Sequence, residues 1–243
     1  MTRTRPKPAH SPQTLTVAWQ AASLLLDYPD ETLLANLGMV HAAAKALPDP
    51  IGPSLGEFVA HLERTPLQEL QQDYVETFDN RRRCNLFLTY FAHGDTRKRG
   101  MALLRFKQTY LQSGFELSTG SSGGGELPDH LCVVLEYAAT IDQQLGRDLM
   151  LDHRAGLELL RLSLRDLRSP WASVVDAVCA TLPPLRGDER DAVRRLAAEG
   201  PPEEEVGLAP FAKPQFSPNS TPASQLVGLP MPTFPGARTG TNA

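Results

Sequence analysis

Apolar residues in this chain recur at steps of three and four over most of its length, while the two-residue alternation of strands is nearly absent. A chain patterned this way can bury its apolar stripes only by packing helix on helix. Leu15, Ala18, Trp19, Ala22, Leu25 and Leu26 form a first stripe behind Ser11-Pro12, an N-cap and first-turn pair, and the helix should stop before Pro29. Leu33 to Leu47 predicts a second helix. Ser54-Leu-Gly-Glu57 has capping-box spacing and predicts the start of a third, and Thr65-Pro-Leu-Gln68 the start of a fourth, whose stripe is Leu67, Leu70, Tyr74 and Phe78. Further helices are expected over Arg97 to Leu111, Asp129 to Leu145, Asp148 to Leu167, Pro170 to Leu182 and Asp188 to Ala198. The expected fold class is all-α, a single compact helical bundle of about nine helices.

Two stretches break the period. Gly120-Ser-Ser-Gly-Gly-Gly125 predicts a flexible loop, and residues 201–243 hold nine of the 21 prolines with hardly any helical pattern. The expected organisation is a disordered N-terminus over 1–13, a helical domain over 14–199 and a proline-rich disordered tail over 200–243. The basic start Met1-Thr-Arg-Thr-Arg-Pro-Lys-Pro is followed by no apolar core of a signal peptide. Nothing approaches the run of about 18 apolar residues that a membrane span needs. Cys84, Cys132 and Cys179 are odd in number and far apart, which argues against a disulfide framework or a structural zinc site. A soluble, cytoplasmic protein with buried thiols is expected.

Catalytic signatures are missing. The six histidines include no pair at i, i+4, the glycine run lacks a Gly-Lys-Ser/Thr ending, and no G-x-S-x-G elbow occurs. No catalytic residue, metal ligand set or cofactor of the protein's own is expected. What stands out is charge and aromatic density: residues 79–110 carry eight Lys or Arg against two Asp in a chain of net charge -4. Arg81-Arg82-Arg83 and Arg97-Lys98-Arg99 could hold phosphates or form a solvated face, and a pI near 5.9 is low for a dedicated nucleic-acid domain. The rings of Tyr74, Phe78, Tyr90 and Phe91 fit either a core stripe or a gripping surface. Asp129-His130 opens a helix after Pro128, so it reads equally as a helix start or as a polar rim that holds a peptide backbone or an arginine. A helical metal-dependent hydrolase and a nucleic-acid-binding helical protein remain alternatives to a binding module.

Several blocks acquire meaning from their order. Leu24-Leu-Leu-Asp-Tyr-Pro-Asp-Glu, Tyr74-Val-Glu-Thr-Phe-Asp with its arginines, Leu86 to Tyr90, His93-Gly-Asp-Thr-Arg-Lys-Arg-Gly-Met101 and Leu127-Pro-Asp-His-Leu131 resemble the respiratory nitrate reductase assembly chaperones of the NarJ or delta-subunit type, over about residues 14 to 198. That group is similar to the wider TorD and DmsD class, whose Glu-Pro-x-Asp-His signature is matched by Glu126-Leu-Pro-Asp-His130 with proline one place later. The resemblance implies a chaperone that binds the N-terminal segment of the apo nitrate reductase catalytic (alpha) subunit and holds it for insertion of the molybdenum cofactor and an iron-sulfur cluster before membrane docking. Molybdenum cofactor biosynthesis proteins are further partners on this reading, and nucleic acid or stable membrane association is not expected. Such a role needs a client groove, for which the candidates are Tyr74, Phe78, Asp79, Leu86, Tyr90, His93, Arg97, Met101, Leu104, Pro128, Asp129 and His130. Protonation of His130 or His93 would tune client release.

Overall fold

Side chains that reach back to otherwise unpaired amides fix where the helices begin. In the computed structural model, which describes residues 8–117 and 127–202, the Ser11 hydroxyl accepts from the Thr14 amide and Pro12 fills the first turn of α1 (Pro12–Leu26). Asp30 caps α2 (Glu31–Lys45) through the Leu33 amide at 2.7 Å. Then follow α3 (Ile51–Leu62), α4 (Leu67–Tyr74) with a π-helical turn over Val75–Asp79, a 3-10 turn over Arg82–Cys84, the single turn α5 (Tyr90–His93) and α6 (Arg97–Gln112). Then come α7 (Leu131–Thr140), α8 (Gln143–Asp152), α9 (Arg154–Asp166), α10 (Trp171–Ala180) and α11 (Gly187–Glu199). Among the described residues there is no strand, so the all-α expectation holds. The glycine loop and residues 203–243 of the expected tail lie outside the described residues, as do residues 1–7.

Among the described residues there are eleven α-helices where about nine were expected, because the two helices predicted over 129–145 and 148–167 divide into three and the single turn α5 was not predicted. Asp142 ends the first: its carboxylate accepts from the Leu145 amide at 2.8 Å and starts α8 at Gln143. Gly146 then lies so close to Ala138 that a Cβ there would sit 2.4 Å from the alanine Cβ, which lets α7 and α8 fold against each other. His153 leaves the helical conformation and divides α8 from α9. Ser54 is also no N-cap. α3 begins earlier, behind Pro50, and places Ser54 within the helix. Thr65 serves the end of α3, its hydroxyl donating to the His61 carbonyl, while Pro66 precedes α4.

α1 is the central rod. It packs on α7, α10 and α2, while α3 lies between α2 and α10, and α9 between α10 and α11. Trp19 is fully buried and its indole N–H donates to the Thr181 hydroxyl at 2.8 Å, so the largest side chain of the rod carries no unpaired donor. A ring cluster fills one end. Trp171 meets Phe58, Tyr74 and Phe78 at centroid distances of 5.3, 5.8 and 5.5 Å, and Tyr28 stands edge-on to Tyr74 at 5.4 Å. All three cysteines are buried and free, as expected.

Candidate functional site

Four of the sequence blocks converge where the chain enters α5 and α7. The Asn85 carboxamide accepts from the Phe87 amide at 2.7 Å and turns the chain into a short extended run. That run pairs antiparallel with the entry to α7: Leu88 N–H donates to the Asp129 carbonyl at 3.0 Å and Leu131 N–H to the Leu86 carbonyl at 2.9 Å, forming an isolated bridge between Phe87 and His130. From α6 the Tyr110 hydroxyl reaches the Pro128 carbonyl at 2.5 Å, and burial pushes that phenol upward, keeping it a donor. From α1, the Ser23 hydroxyl donates to the Cys132 carbonyl at 3.0 Å. Leu24 to Glu31 is thereby tied to the Asp-His block.

At the centre is Asp129, 0% exposed. One carboxylate oxygen accepts from both the Thr89 amide at 3.1 Å and the Thr89 hydroxyl at 2.6 Å. That hydroxyl in turn accepts from Arg99 Nε at 3.2 Å, and Arg99 Nη2 stands 3.7 Å from the same carboxylate oxygen. Thr89 thus uses its single O–H on the anion and a lone pair on the cation, linking two opposite charges that do not touch directly. The guanidinium lies over the rings of Phe87 and Tyr90, 5.3 and 5.9 Å from their centroids, and a second N–H pairs with Asp95 at 3.0 Å. Each ring contact is worth about 0.5 to 2 kcal/mol, so Arg99 is clamped between α6 and the bridge.

Beside the clamp lies a cavity of about 300 Å³, walled by Leu88, Phe91, His153, Gly156, Leu196 and Pro202. Two glycines permit its walls to close. Gly94 ends α5 with a φ of 56°, and a Cβ there would sit 1.8 Å from the Pro202 carbonyl oxygen. Gly156 meets the Phe91 ring, where a Cβ would lie 2.7 Å from ring carbon.

The predicted site residues fall into three places. Leu86, Tyr90, Pro128, Asp129 and His130 build the bridge and clamp; all are buried except the partly exposed His130, and His93 closes α5 beside them. Tyr74 and Phe78 belong to the ring cluster with Trp171, where the Tyr74 hydroxyl donates to the Leu26 carbonyl, and Asp79 ends the π turn on the surface. Arg97, Met101 and Leu104 lie exposed on α6. Met101 is 64% and Leu104 49% exposed, and Leu111, 59% exposed, continues their stripe on the face opposite the buried Ala102, Phe106 and Tyr110. Sequence reasoning missed Thr89, the inward turn of Arg99, His153 and Gly156. Thr89 and Arg99 stood inside the quoted blocks, but nothing in their spacing says that one side chain points in while Arg97, two places away, points out.

Burial is the first cause that lowers the His130 imidazole below its ordinary value, with Asp27 and Asp129 pulling the other way. His153 and His61 are lowered for the same first reason. These rings stay neutral in the fold but titrate near 6.5 once unfolded, so the unfolded chain takes up more protons. Stability is therefore full above that value and lost as pH falls through it toward the folded values. The expected result is a lower urea midpoint at about pH 5.5 than at about pH 7.5 and a shallower pH dependence in His153→Gln, measured at constant ionic strength. A steeper fall in that variant would refute the assignment.

A helical scaffold organised around an internally paired carboxylate and an outward apolar stripe is what the geometry defines. The chain belongs to the nitrate reductase delta subunit family, whose model matches residues 44–176 and so includes the whole bridge and clamp. Similar proteins include the nitrate reductase-like protein NarX of Mycobacterium tuberculosis, 39% identical over 165 residues that cover 68% of this chain and 24% of NarX. The chain thus spans about a quarter of that relative. The probable nitrate reductase molybdenum cofactor assembly chaperone NarJ of Bacillus subtilis is 34% identical over 171 residues, covering 68% of this chain and 88% of the relative. The NarJ chaperone of Escherichia coli is 34% identical over 157 residues, 63% of this chain and 64% of the relative.

Proposed function

We propose that this protein is an assembly chaperone for a nitrate reductase. It holds the N-terminal segment of the apo catalytic subunit in the cytoplasm while the molybdenum cofactor and an iron-sulfur cluster are inserted, before docking at the membrane, and makes no bond itself. Molybdenum cofactor biosynthesis proteins are the partners that would deliver the cofactor. Two relatives bear the name of molybdenum cofactor assembly chaperones, which supports the role. The observation that carries the reading is the exposed stripe Met101, Leu104 and Leu111 on α6, with Arg97 on the same face and the helix anchored at its base by Arg99.

An amphipathic client helix would lay its apolar side along this stripe, with Arg97 setting its direction against an acidic or carbonyl-bearing end. Tyr90, Leu86, Pro128, Asp129 and His130 hold the base of α6 from within, His93 and Asp79 stand at the borders, and Tyr74 and Phe78 stiffen the wall behind. Burial of two or three half-exposed side chains supplies about 1 to 2 kcal/mol each, and ordering of the peptide offsets much of it. The resulting affinity is moderate and reversible.

Titration calorimetry of the full chain with a synthetic client N-terminal segment tests the reading. The double substitution Met101→Glu, Leu104→Glu should weaken binding about tenfold or more, because two carboxylates would face an apolar helix, while thermal unfolding stays within a few degrees of the parent. Undiminished affinity in that variant would remove α6 as the docking face.

A further inference from the structure

α6 carries five cations, Arg97, Lys98, Arg99, Arg105 and Lys107, and not one Asp or Glu, in a chain whose net charge is -4. Arg99 turns inward to Thr89, but Arg97, Lys98, Arg105 and Lys107 are exposed. Lys98, Arg105 and Lys107 form no ion pair among the described residues, so their charge faces solvent.

Their placement is ordered. At about 100° of rotation per residue, Lys98 and Arg105 stand on one side of the stripe formed by Met101, Leu104 and Leu111 and Lys107 on the other, each about 70 to 110° from its mid-line. Cations therefore flank an aliphatic row on both sides, while Ala102, Phe106 and Tyr110 occupy the buried face. This is the pattern with which a helix lies in the headgroup layer of an anionic bilayer: the aliphatic row sinks below the phosphates and the flanking cations reach out to them. Two other partners match it less well. A nucleic-acid backbone offers phosphates but leaves Met101, Leu104 and Leu111 in water, and a single partner helix, about 10 Å wide, covers the row without the charges on both flanks. An extended lipid surface meets all three rows together. The helix is also formed in advance, because Phe106 against His153 and the Tyr110 hydroxyl on the Pro128 carbonyl tie its inner face to the bundle.

We propose that the outer face of α6 binds anionic lipid membranes. No helix among the described residues is long and apolar enough to cross a membrane, so the contact is peripheral and reversed by salt. A further consequence rests on the client reading above: lipid and client compete for one face, so the client is released as the complex meets the membrane.

Co-sedimentation of the full chain with vesicles tests the site. Vesicles of phosphatidylglycerol and phosphatidylcholine in equal parts should retain the protein about tenfold better than phosphatidylcholine alone, and the excess should vanish as ionic strength rises from about 0.05 to 0.5 M. Lys98→Gln, Arg105→Gln and Lys107→Gln combined should weaken retention about tenfold, and Leu104→Gln with Leu111→Gln about fivefold, both without change in thermal unfolding, since all five side chains are exposed. Lys45→Gln, on the surface of α2, should leave retention unchanged. Equal retention by both kinds of vesicle, retention that either combined variant leaves undiminished, or tighter binding to a short DNA duplex than to the vesicles would overturn the proposal. The client titration is carried out without lipid, so either result can fail alone.

Discussion

Asp129→Ala should lower the unfolding free energy by about 3 to 5 kcal/mol, a large part of what a domain of this size possesses. The substitution removes the acceptor of the Thr89 amide and hydroxyl, both buried, and leaves the Arg99 guanidinium above Phe87 and Tyr90 with only the exposed Asp95 as counter-charge. Urea unfolding at neutral pH measures the loss as a fall in midpoint at unchanged slope. Asp129→Asn keeps one acceptor and should cost less. A double-mutant cycle with Arg99→Leu should recover about 1 kcal/mol or more, because removing the cation also removes the penalty of leaving it without its buried partner. The carboxylate would lose its structural role if Asp129→Ala unfolded at the parent midpoint. The same variant should also weaken the client, since α6 is anchored at its base through Arg99, and this second readout links the clamp to the proposed docking face.

Much of this scaffold could be read before any coordinates. Periodicity placed most helices, and Ser11-Pro12 placed one start to the residue, because a cap is a local device and its signal is local too. The cuts at Asp142 and His153 were missed for the opposite reason. Apolar spacing runs straight through both: the first helix is stopped by the Asp142 cap together with the close approach of Gly146 to Ala138, and at His153 the backbone leaves the helical conformation without a side-chain cap. The site divides in the same way. The blocks around Leu86 and Asp129 were picked out as blocks, yet their pairing spans about forty residues, and no short-range pattern reports it. Orientation was the hardest part to read. Arg97, Lys98 and Arg99 look alike in the sequence, but helical rotation turns Arg99 toward Thr89 and leaves Arg97 on the outer face with Met101.

Orientation also explains why the exposed and buried halves of α6 divide the labour. Phe106 and Tyr110 bind the helix to His153 and Pro128, so the inner face is committed to the fold. The outer face keeps three large apolar residues in solvent at helical spacing, an arrangement more ordered than scattered surface leucines. A rigid inner face beneath an apolar outer one lowers the ordering cost on the protein's side of a peptide complex, leaving the client to bear most of it.

Gly156→Val should destabilise the protein by about 3 kcal/mol, although helix propensity alone predicts the opposite sign for losing a glycine within α9. A Cβ at Gly156 would lie 2.7 Å from the Phe91 Cβ and Cδ2 and 2.8 Å from its Cγ, contacts that real side chains do not tolerate. Phe91 is itself buried and cannot swing into solvent without vacating the core, so α5 must retreat from α9. That retreat would widen the cavity beside Leu88 and loosen the run that pairs with Asp129. Gly100 supplies the control: it lies in α6 with open space where its Cβ would be, and Gly100→Ala should stabilise by about 0.5 to 1 kcal/mol. Chemical unfolding of both variants separates the two effects, and a stabilised Gly156→Val would mean that α5 does not rest on α9 as described. Phe91→Leu in the Gly156→Val background should return part of the loss, because the smaller side chain withdraws the atoms that the new methyls meet.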